Sequence, residues 1–218
     1  MLATRRRLLG ALGGGAALAG MSPVLGADLL ATPRQAKGPF YPIELPLDQD
    51  NDLTRVAGRT GVARGEILDV AGTLVDERGT PLRGVKIEIW QVNAYGRYHH
   101  PHDAQDKPWD PDFQGFGRTL TDDQGRYRFR TVRPVAYPGR APHIHFALSD
   151  RRFATFYTQM YIAGAPENAG DFLLRRIDRR EARDSLIVEL VPAATEGARL
   201  QGQFDIVLGR TVLSREAG

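Results

Sequence analysis

The sequence has 218 residues, of which 42% are apolar, 25% charged and 8% aromatic. These fractions are typical of a folded globular protein and exclude a collagen, a coiled coil and a disordered chain. The chain has no cysteine, which excludes disulfide scaffolds, zinc ribbons, iron–sulfur clusters and cysteine nucleophiles. Any bound metal must therefore be held by His, Tyr, Asp or Glu.

Residues 1–27 have the pattern of a secretory signal. Arg5, Arg6 and Arg7 precede an uncharged stretch rich in Gly, Ala and Leu, and small residues follow at Ala19 and Ala27. The adjacent arginines favour the twin-arginine export route, and the many glycines make a membrane anchor the weaker alternative. This segment holds three of the 29 basic residues and no acidic one, so 26 basic residues balance 26 acidic ones in the rest. We expect an exported protein whose mature part has no membrane span and no nucleic-acid-binding surface.

Residues 28–64 carry no helical periodicity and predict an extended N-terminal arm, whereas residues 65–218 predict one main domain. In that domain, short apolar or alternating runs lie between turn signals. In one of them, Val85, Ile87 and Ile89 share a buried face. Strands are predicted at 67–75, 85–89, 127–130, 143–148, 158–162, 185–191 and 204–208. This pattern predicts an all-β fold, an antiparallel β-sandwich or a barrel.

Two segments depart from the strand pattern. Residues 171–183 are the one helical candidate and are charged over most of their surface. Residues 99–118 hold His, Asp, Pro, Gly and aromatic residues without any period. A loop of this length in a small sandwich is usually functional.

His143 and His145 form the sharpest local feature. They lie two residues apart on a predicted strand, so both side chains project from one face and can converge on a metal, while Ile144 points into the core. Taken alone, the pair could equally be packed or hydrogen-bonded histidines. The other histidines lie in the irregular loop and are expected to be loop residues rather than ligands: His99, His100 and His102.

Tyr98 and Tyr137 are the neighbouring residues that could complete a metal site. Tyrosine binds most metals poorly because its free pKa is about 10. A trivalent iron changes this, since a hard and highly charged ion stabilises phenolate over phenol. Two tyrosines and two histidines would leave iron(III) the open position that catalysis requires. Singly, either tyrosine could be a packed or turn residue.

Several motifs follow one another along the chain and point to one family. They are GPFYP at 38–42, IEIWQVNA at 87–94 leading to GRY at 96–98, DPDF at 110–113, GR at 117–118, TD at 121–122, FRT at 129–131, YP at 137–138, RAPHIHF at 140–146 and TQMY at 158–161. This succession resembles the intradiol ring-cleavage dioxygenases, most closely the protocatechuate 3,4-dioxygenase branch. The long helical dimerisation segment of catechol 1,2-dioxygenases is missing, because residues 28–64 are too short and too broken for it.

The resemblance implies a transthyretin-like (prealbumin-like) sandwich with long active-site loops, one short helix and one iron(III) per catalytic chain. By motif, Tyr98 and His143 match the equatorial iron ligands of the family. Tyr137 and His145 match the axial pair.

The resemblance also implies the reaction. Both atoms of dioxygen enter a catechol-type ring, such as protocatechuate or a substituted catechol, between the two hydroxyl-bearing carbons, giving a cis,cis-muconate-type diacid. Tyr137 matches the displaceable ligand that takes up a catechol proton. Arg140 matches the fixed positive charge beside the attacked carbon, and Gln159 matches a glutamine that hydrogen-bonds the reacting oxygen.

Two alternatives remain at this stage. The patterns at 72–85 and 121–127 are shared with transthyretin-like and collagen-binding modules, so a non-catalytic secreted binding module is the main rival; an iron-binding protein without turnover is the second. A homo-oligomer or a related partner subunit is possible. Candidates for binding the ring substituent are Arg97, Arg118 and Arg133. Candidates for lining the substrate mouth are Tyr41, Trp109 and Phe116.

Overall fold

Two five-stranded sheets pack face to face. The computed structural model describes residues 28–46 and 48–213. The predicted export signal, residues 1–27, lies outside the described residues. Within the described ranges, no helix is long and apolar enough to cross a membrane.

The strands are β1 (Ile67–Asp76), β2 (Lys86–Trp90), β3 (Phe116–Leu120), β4 (Arg126–Val132), β5 (His143–Asp150), β6 (Phe153–Ile162), β7 (Ile187–Val188), β8 (Leu190–Pro192), β9 (Leu200–Gln203) and β10 (Ile206–Leu208). A 3-10 turn spans Pro166–Ala169, and the short helices are α1 (Phe172–Arg175), α2 (Arg180–Asp184) and α3 (Arg210–Leu213). The first sheet has the order β10-β1-β9-β8, with β4 also paired to β1, and the second sheet has the order β3-β2-β5-β6-β7.

The core lies between the two sheets because alternate residues of their strands are apolar. In the second sheet, Ile87 and Ile144 point inward and are fully buried. Phe146 crosses the interface, with its ring centroid 6.0 Å from that of Tyr127 and 5.1 Å from that of Phe204. Each such side chain contributes about 1.5–3 kcal/mol on burial. The opposite face of β2, β5 and β6, called the covered face below, is also buried, which is unusual for a sandwich strand.

The N-terminal arm closes the open side of the sandwich with backbone hydrogen bonds. The amide of Arg118 on β3 donates to the carbonyls of Gln49 and Asp50, at 3.0 and 3.1 Å. The amide of Arg130 on β4 donates to the carbonyl of Asn51, and the amide of Leu53 donates to the carbonyl of Arg130, both at 2.8 Å. Residues 49–53 therefore satisfy one edge of each sheet, which also blocks those edges from pairing with another chain.

The predicted all-β sandwich is confirmed, with differences in detail. β3 lies at the end of the segment predicted as a loop, β9 was not predicted, and the predicted strand 185–191 divides into β7 and β8. The pairing is mixed rather than antiparallel throughout, since β1 pairs in parallel with β9 and β10, and β6 with β7. The chain reaches these partners through long connections instead of hairpins, which local turn signals do not reveal.

The single helix predicted over 171–183 is wrong. The segment forms the separate short helices α1 and α2. Leu174 is buried and Ile177 packs against the core, but most other positions are charged. Too few apolar residues recur at helical spacing to hold one continuous helix against the sheet.

Candidate metal centre

Strands β2, β5 and β6 place the candidate residues side by side on the covered face. The strand register pairs Trp90 with His145, and His145 with Gln159. Two residues away on the same strands, His143 pairs with Tyr161. Because alternate residues of a strand face opposite ways, both histidines point to the covered face while Ile144 lies in the core.

Four donor atoms meet on this face: Oη of Tyr98 and Tyr137, and Nε2 of His143 and His145. The two Nε2 atoms are 3.1 Å apart, and Oη of Tyr98 is 3.1 Å from that of His145 and 3.5 Å from that of His143. Oη of Tyr137 is 3.4 Å from Oη of Tyr98 and 3.5 Å from Nε2 of His143. We refer to these atoms as the four-donor centre.

The spacing of the four-donor centre fits a shared metal ion. Donors about 2 Å from one ion, arranged tetrahedrally, lie roughly 3.3 Å from one another. In the described part of the chain, no three His, Cys, Asp or Glu side chains form a metal-binding group, so a metal bound at the two histidines would need the phenol oxygens as further donors. Two nitrogen and two hard oxygen donors suit a trivalent ion.

Both imidazoles are held in the neutral form. Burial, followed by the nearby charge of Arg140, lowers the pKa of His143 to about 3. Burial, then His143 and Arg140, lowers the pKa of His145 well below its usual value. Nδ1 of His143 lies 2.6 Å from the carbonyl oxygen of Ala141 and must donate to it, so Nε2 keeps its lone pair for a metal.

The two tyrosines differ in burial and in the contacts that hold them. Tyr98 is 2% exposed, its amide donates to the buried carboxylate of Asp103 at 2.7 Å, and its ring stacks on Phe40 at 4.6 Å. Tyr137 is half-buried in a turn closed by two backbone hydrogen bonds with Arg140. Burial raises the pKa of both phenols, well above 10 for Tyr98, so a cation is needed to make them phenolates.

The arm covers the centre. Gly38 has a φ of +75°, and a Cβ there would lie 3.2 Å from Cε1 of His145. The Trp90 indole stacks on His145, and Tyr41 packs edge-on against that indole at 5.0 Å. Together with Phe40, these groups keep bulk water from the histidine side of the centre.

Arg140 and Gln159 lie beside the donors and contact each other. Nη2 of Arg140 donates to Oε1 of Gln159 at 2.6 Å and to Oη of Tyr161 at 3.2 Å. Nε of Arg140 donates to Asp171 at 2.8 Å, and Nε2 of Gln159 donates to the arm carbonyl of Ala36 at 3.0 Å. The guanidinium is thus 9% exposed and fixed in orientation.

Comparison with known proteins decides the family. The family model described as dioxygenase matches residues 36–210. The chain is 42% identical over 184 residues to the protocatechuate 3,4-dioxygenase beta chain of Burkholderia cepacia, covering 80% of this chain and 78% of that one. The chain belongs to the intradiol ring-cleavage dioxygenase family. The resemblance found in the sequence is therefore confirmed, and the binding module without activity is not favoured.

Two further relatives agree with this family assignment. A catechol 1,2-dioxygenase of Candida albicans is 28% identical over 190 residues, which cover 78% of this chain and 58% of that longer protein. The solved dioxygenase domain of a carbohydrate-binding fusion protein from Streptomyces sp. SirexAA-E superposes with a TM-score of 0.63 at 28% identity, covering 82% of this chain and 98% of that one.

The arginines of this intradiol dioxygenase that were candidates for binding the ring substituent make other contacts. Arg97 donates to the carbonyl of Lys107, and Arg133 pairs with Glu66 on the surface. Arg118 lies on β3 at the arm. Arg140, by contrast, is the guanidinium hydrogen-bonded beside the donors.

The residues that were candidates for lining the entrance to the substrate site lie in different environments. Trp109 is 51% exposed and stacks on His99 at 3.8 Å, away from the donor atoms. Phe116 is buried beside Tyr41, with ring centroids 5.9 Å apart. Burial and the adjacent Glu88 raise the pKa of Tyr41 to about 12, so it stays a phenol. His100 and His102 pack on each other in the loop.

Sequence reasoning assigned no role to three residues that contact the site. Trp90 stacks on His145, while Asp171 and Tyr161 hydrogen-bond Arg140. Asp171 precedes Phe172-Leu173-Leu174, a pattern typical of a helix N-cap, and it does cap α1. Its pairing with Arg140 spans 31 residues and has no local signal.

Proposed function

We propose that this dioxygenase uses a ferric ion, held by Tyr98, Tyr137, His143 and His145, to cleave a catechol-type ring between its hydroxyl-bearing carbons. The observation that carries the proposal is the four-donor centre: two phenol oxygens and two neutral imidazole nitrogens, with neighbouring atoms 3.1–3.5 Å apart on one buried face. A bound ferric ion would supply Lewis acidity toward a chelating diphenol and keep two tyrosines ionised.

The surroundings of the tyrosines support different roles for them. A catechol must lose its hydroxyl protons to chelate a metal. Tyr137 is half-buried, and as a phenolate ionised by a bound ferric ion it would be able to accept one of these protons at Oη. Tyr98 is fully buried, its backbone is held by Asp103 and its ring stacks on Phe40. We therefore assign proton uptake to Tyr137 and permanent ligation to Tyr98.

Arg140 provides a fixed positive charge. Its Nε and Nη2 atoms are held by Asp171, Gln159 and Tyr161. The same guanidinium also hydrogen-bonds the Tyr137 phenol, which lowers its pKa against the effect of burial. A catechol oxygen bound at this position would accept from a guanidinium that is already in place. A preorganised donor of this kind is worth about 3–4 kcal/mol. Gln159 is anchored by the Ala36 carbonyl and holds the guanidinium from one side. We assign it a hydrogen bond to the reacting oxygen.

Oxygen uptake across a panel of catechols, including protocatechuate, tests the function. Mass spectrometry should find ring-opened diacids of the cis,cis-muconate type that carry both atoms of labelled dioxygen. The purified protein should be coloured, because ferric tyrosinate absorbs visible light. Yellow hydroxyaldehyde products would show cleavage beside the diol and overturn the mechanism, and a colourless protein that cannot bind ferric ion would overturn the metal assignment.

We also propose an oligomeric assembly, either of identical chains or with a related subunit. The proposal is supported by the relative from Burkholderia cepacia, which is named as a beta chain. Sedimentation of the purified protein, alone and after co-expression with a homologous subunit, distinguishes the two assemblies. A monomer in both conditions would overturn the proposal.

Finally, we propose that residues 1–27 direct export by the twin-arginine route. The support is the run Arg5-Arg6-Arg7 ahead of a weakly hydrophobic, glycine-rich stretch. Changing Arg5 and Arg6 to lysine should retain the precursor inside the cell, whereas the wild-type chain should be processed and exported. Equal export of both forms would contradict this route.

A further inference from the structure

One buried carboxylate, that of Asp171, joins three parts of the active site. Its Oδ2 accepts from Nε of Arg140 at 2.8 Å and from the amide of Ala141 at 3.0 Å. Its Oδ1 accepts from the amides of Leu173 and Leu174, each at 3.0 Å. The side chain is 0% exposed. It therefore connects the guanidinium, the backbone at Ala141 just before strand β5, and the start of α1.

The bonds to Asp171 set the plane of the Arg140 guanidinium. Because the guanidinium is planar, engaging Nε on one edge and Nη2 on another leaves no freedom to rotate. The ring of Phe172, the residue after Asp171, lies 5.5 Å from the guanidinium carbon. The orientation of the guanidinium beside the four-donor centre is therefore fixed.

The negative charge of Asp171 goes beyond what capping a helix requires. Ser and Asn cap helices about as well as Asp does. Arg140, however, has a side chain only 8% exposed, and a cation buried to this degree needs an opposite charge in contact. Among the described residues, Asp171 is the carboxylate that forms an ion pair with it.

We infer that Asp171 is the positioning residue that holds Arg140 in place at the four-donor centre. The inference rests on the proposed function, since it assigns Asp171 a role only through Arg140. Asp171 does not contact the donor atoms directly, so an effect exerted through Arg140 should appear in turnover. An effect exerted through the Ala141 amide, whose residue also holds Nδ1 of His143, should appear in metal binding instead.

The variant Asp171→Asn separates positioning from capping. Asparagine keeps the volume and the N-cap acceptor but removes the charge that orients Arg140. We expect kcat to fall about 10–100-fold, approaching the loss of one preorganised donor. Iron content and the visible tyrosinate band should not change, and the catechol Kd from anaerobic absorbance titration should stay within about threefold, because no donor atom is altered.

Asp69→Asn is the matched control. Asp69 is also a buried carboxylate, 6% exposed, and pairs with Arg128 and Arg130 at 2.6 and 2.8 Å on the other sheet. Its variant should lose stability yet keep the wild-type kcat per iron-loaded chain. If Asp171→Asn does not fold, Asp171→Ser, which caps but is too short to reach Arg140, provides the same comparison.

A double-mutant cycle gives the decisive result. In an Arg140→Gln background, Asp171→Asn should cause no further loss of kcat, because the residue it acts through is already gone. Losses that multiply, or a kcat unchanged by Asp171→Asn alone, would overturn the positioning role. A wild-type enzyme inactive on every catechol would instead overturn the proposed function, so the two failures are distinguishable.

Discussion

The indole of Trp90 lies flat against the imidazole of His145, with ring centroids 4.7 Å apart and planes inclined by 7°. The Nδ1 atom of His145 is buried and has no hydrogen-bond partner among the described residues, whereas Nδ1 of His143 is held by the Ala141 carbonyl. The two histidines of β5 are therefore oriented by different means, His143 by a hydrogen bond and His145 by stacking.

Replacing the indole should weaken metal binding through His145. Loss of a group that orients a ligand typically costs 10–100-fold in metal affinity, so we expect about that loss for Trp90→Leu and a smaller one for Trp90→Phe. Competition for the metal with a chelator, monitored by the visible absorbance band, measures the change in metal affinity. The control is Trp109→Leu, since Trp109 stacks on His99 in the same way but away from the donors. Equal affinities for Trp90→Leu and wild type would show that stacking does not orient the ligand.

Removing one phenol oxygen should weaken the colour strongly without unfolding the protein. Tyr98→Phe deletes a donor and keeps a ring that still fits against Phe40. We expect loss of most of the visible band and of turnover, with circular dichroism unchanged. Tyr127→Phe removes another buried hydroxyl, the one that donates to the Phe204 carbonyl, and should keep the band. A wild-type spectrum for Tyr98→Phe would exclude Tyr98 as a ligand.

A methyl group at Gly38 should disturb the four-donor centre by pressing on the His145 ring. The added Cβ would lie 3.2 Å from Cε1 of His145, closer than most real contacts, and alanine is strained at a φ of +75°. Gly84→Ala is the matched control, because Gly84 has a φ of +70° and open space around it. Both variants should lose stability, but only Gly38→Ala should also shift the tyrosinate band and lower kcat. Matching spectra for the two would mean that the arm does not press on His145.

The stability contributed by Asp69 should depend on pH. Burial alone would raise the pKa of this carboxyl, but hydrogen bonds from Arg130 and Arg128 outweigh it and hold the pKa below its usual value. A carboxyl of lowered folded-state pKa stabilises the fold above its unfolded pKa of about 3.9 and loses that contribution as pH falls through the folded value.

We therefore expect Asp69→Asn to lower the free energy of unfolding by about 1–3 kcal/mol at pH 7. The difference from wild type should shrink as the pH falls below about 4. Urea unfolding at pH 7 and at pH 3 measures both values. A difference that is the same at the two pH values would show that charge at Asp69 is not the cause.

Some of the fold could be predicted because its signals are local. The alternation in β2 and the spacing of His143 and His145 each depend on residues a few positions apart, so a strand and a pair of side chains on one face follow directly. The weakly patterned strands β3 and β9 could not be predicted, because they form through pairing with β2 and with β1, distant in sequence. The break between α1 and α2 likewise depends on which apolar residues reach the core.

The motif order along the chain alone determined the family, the all-β class and the identity of the candidate ligands, because these reside in residue types and short spacings. Only the tertiary structure decided that the arm forms the cover of the centre, that Trp90 orients His145 and that Asp171 holds Arg140. Those relationships join residues 31 to 123 positions apart, or rings on different strands, and they exist only once the sheets have paired and buried them.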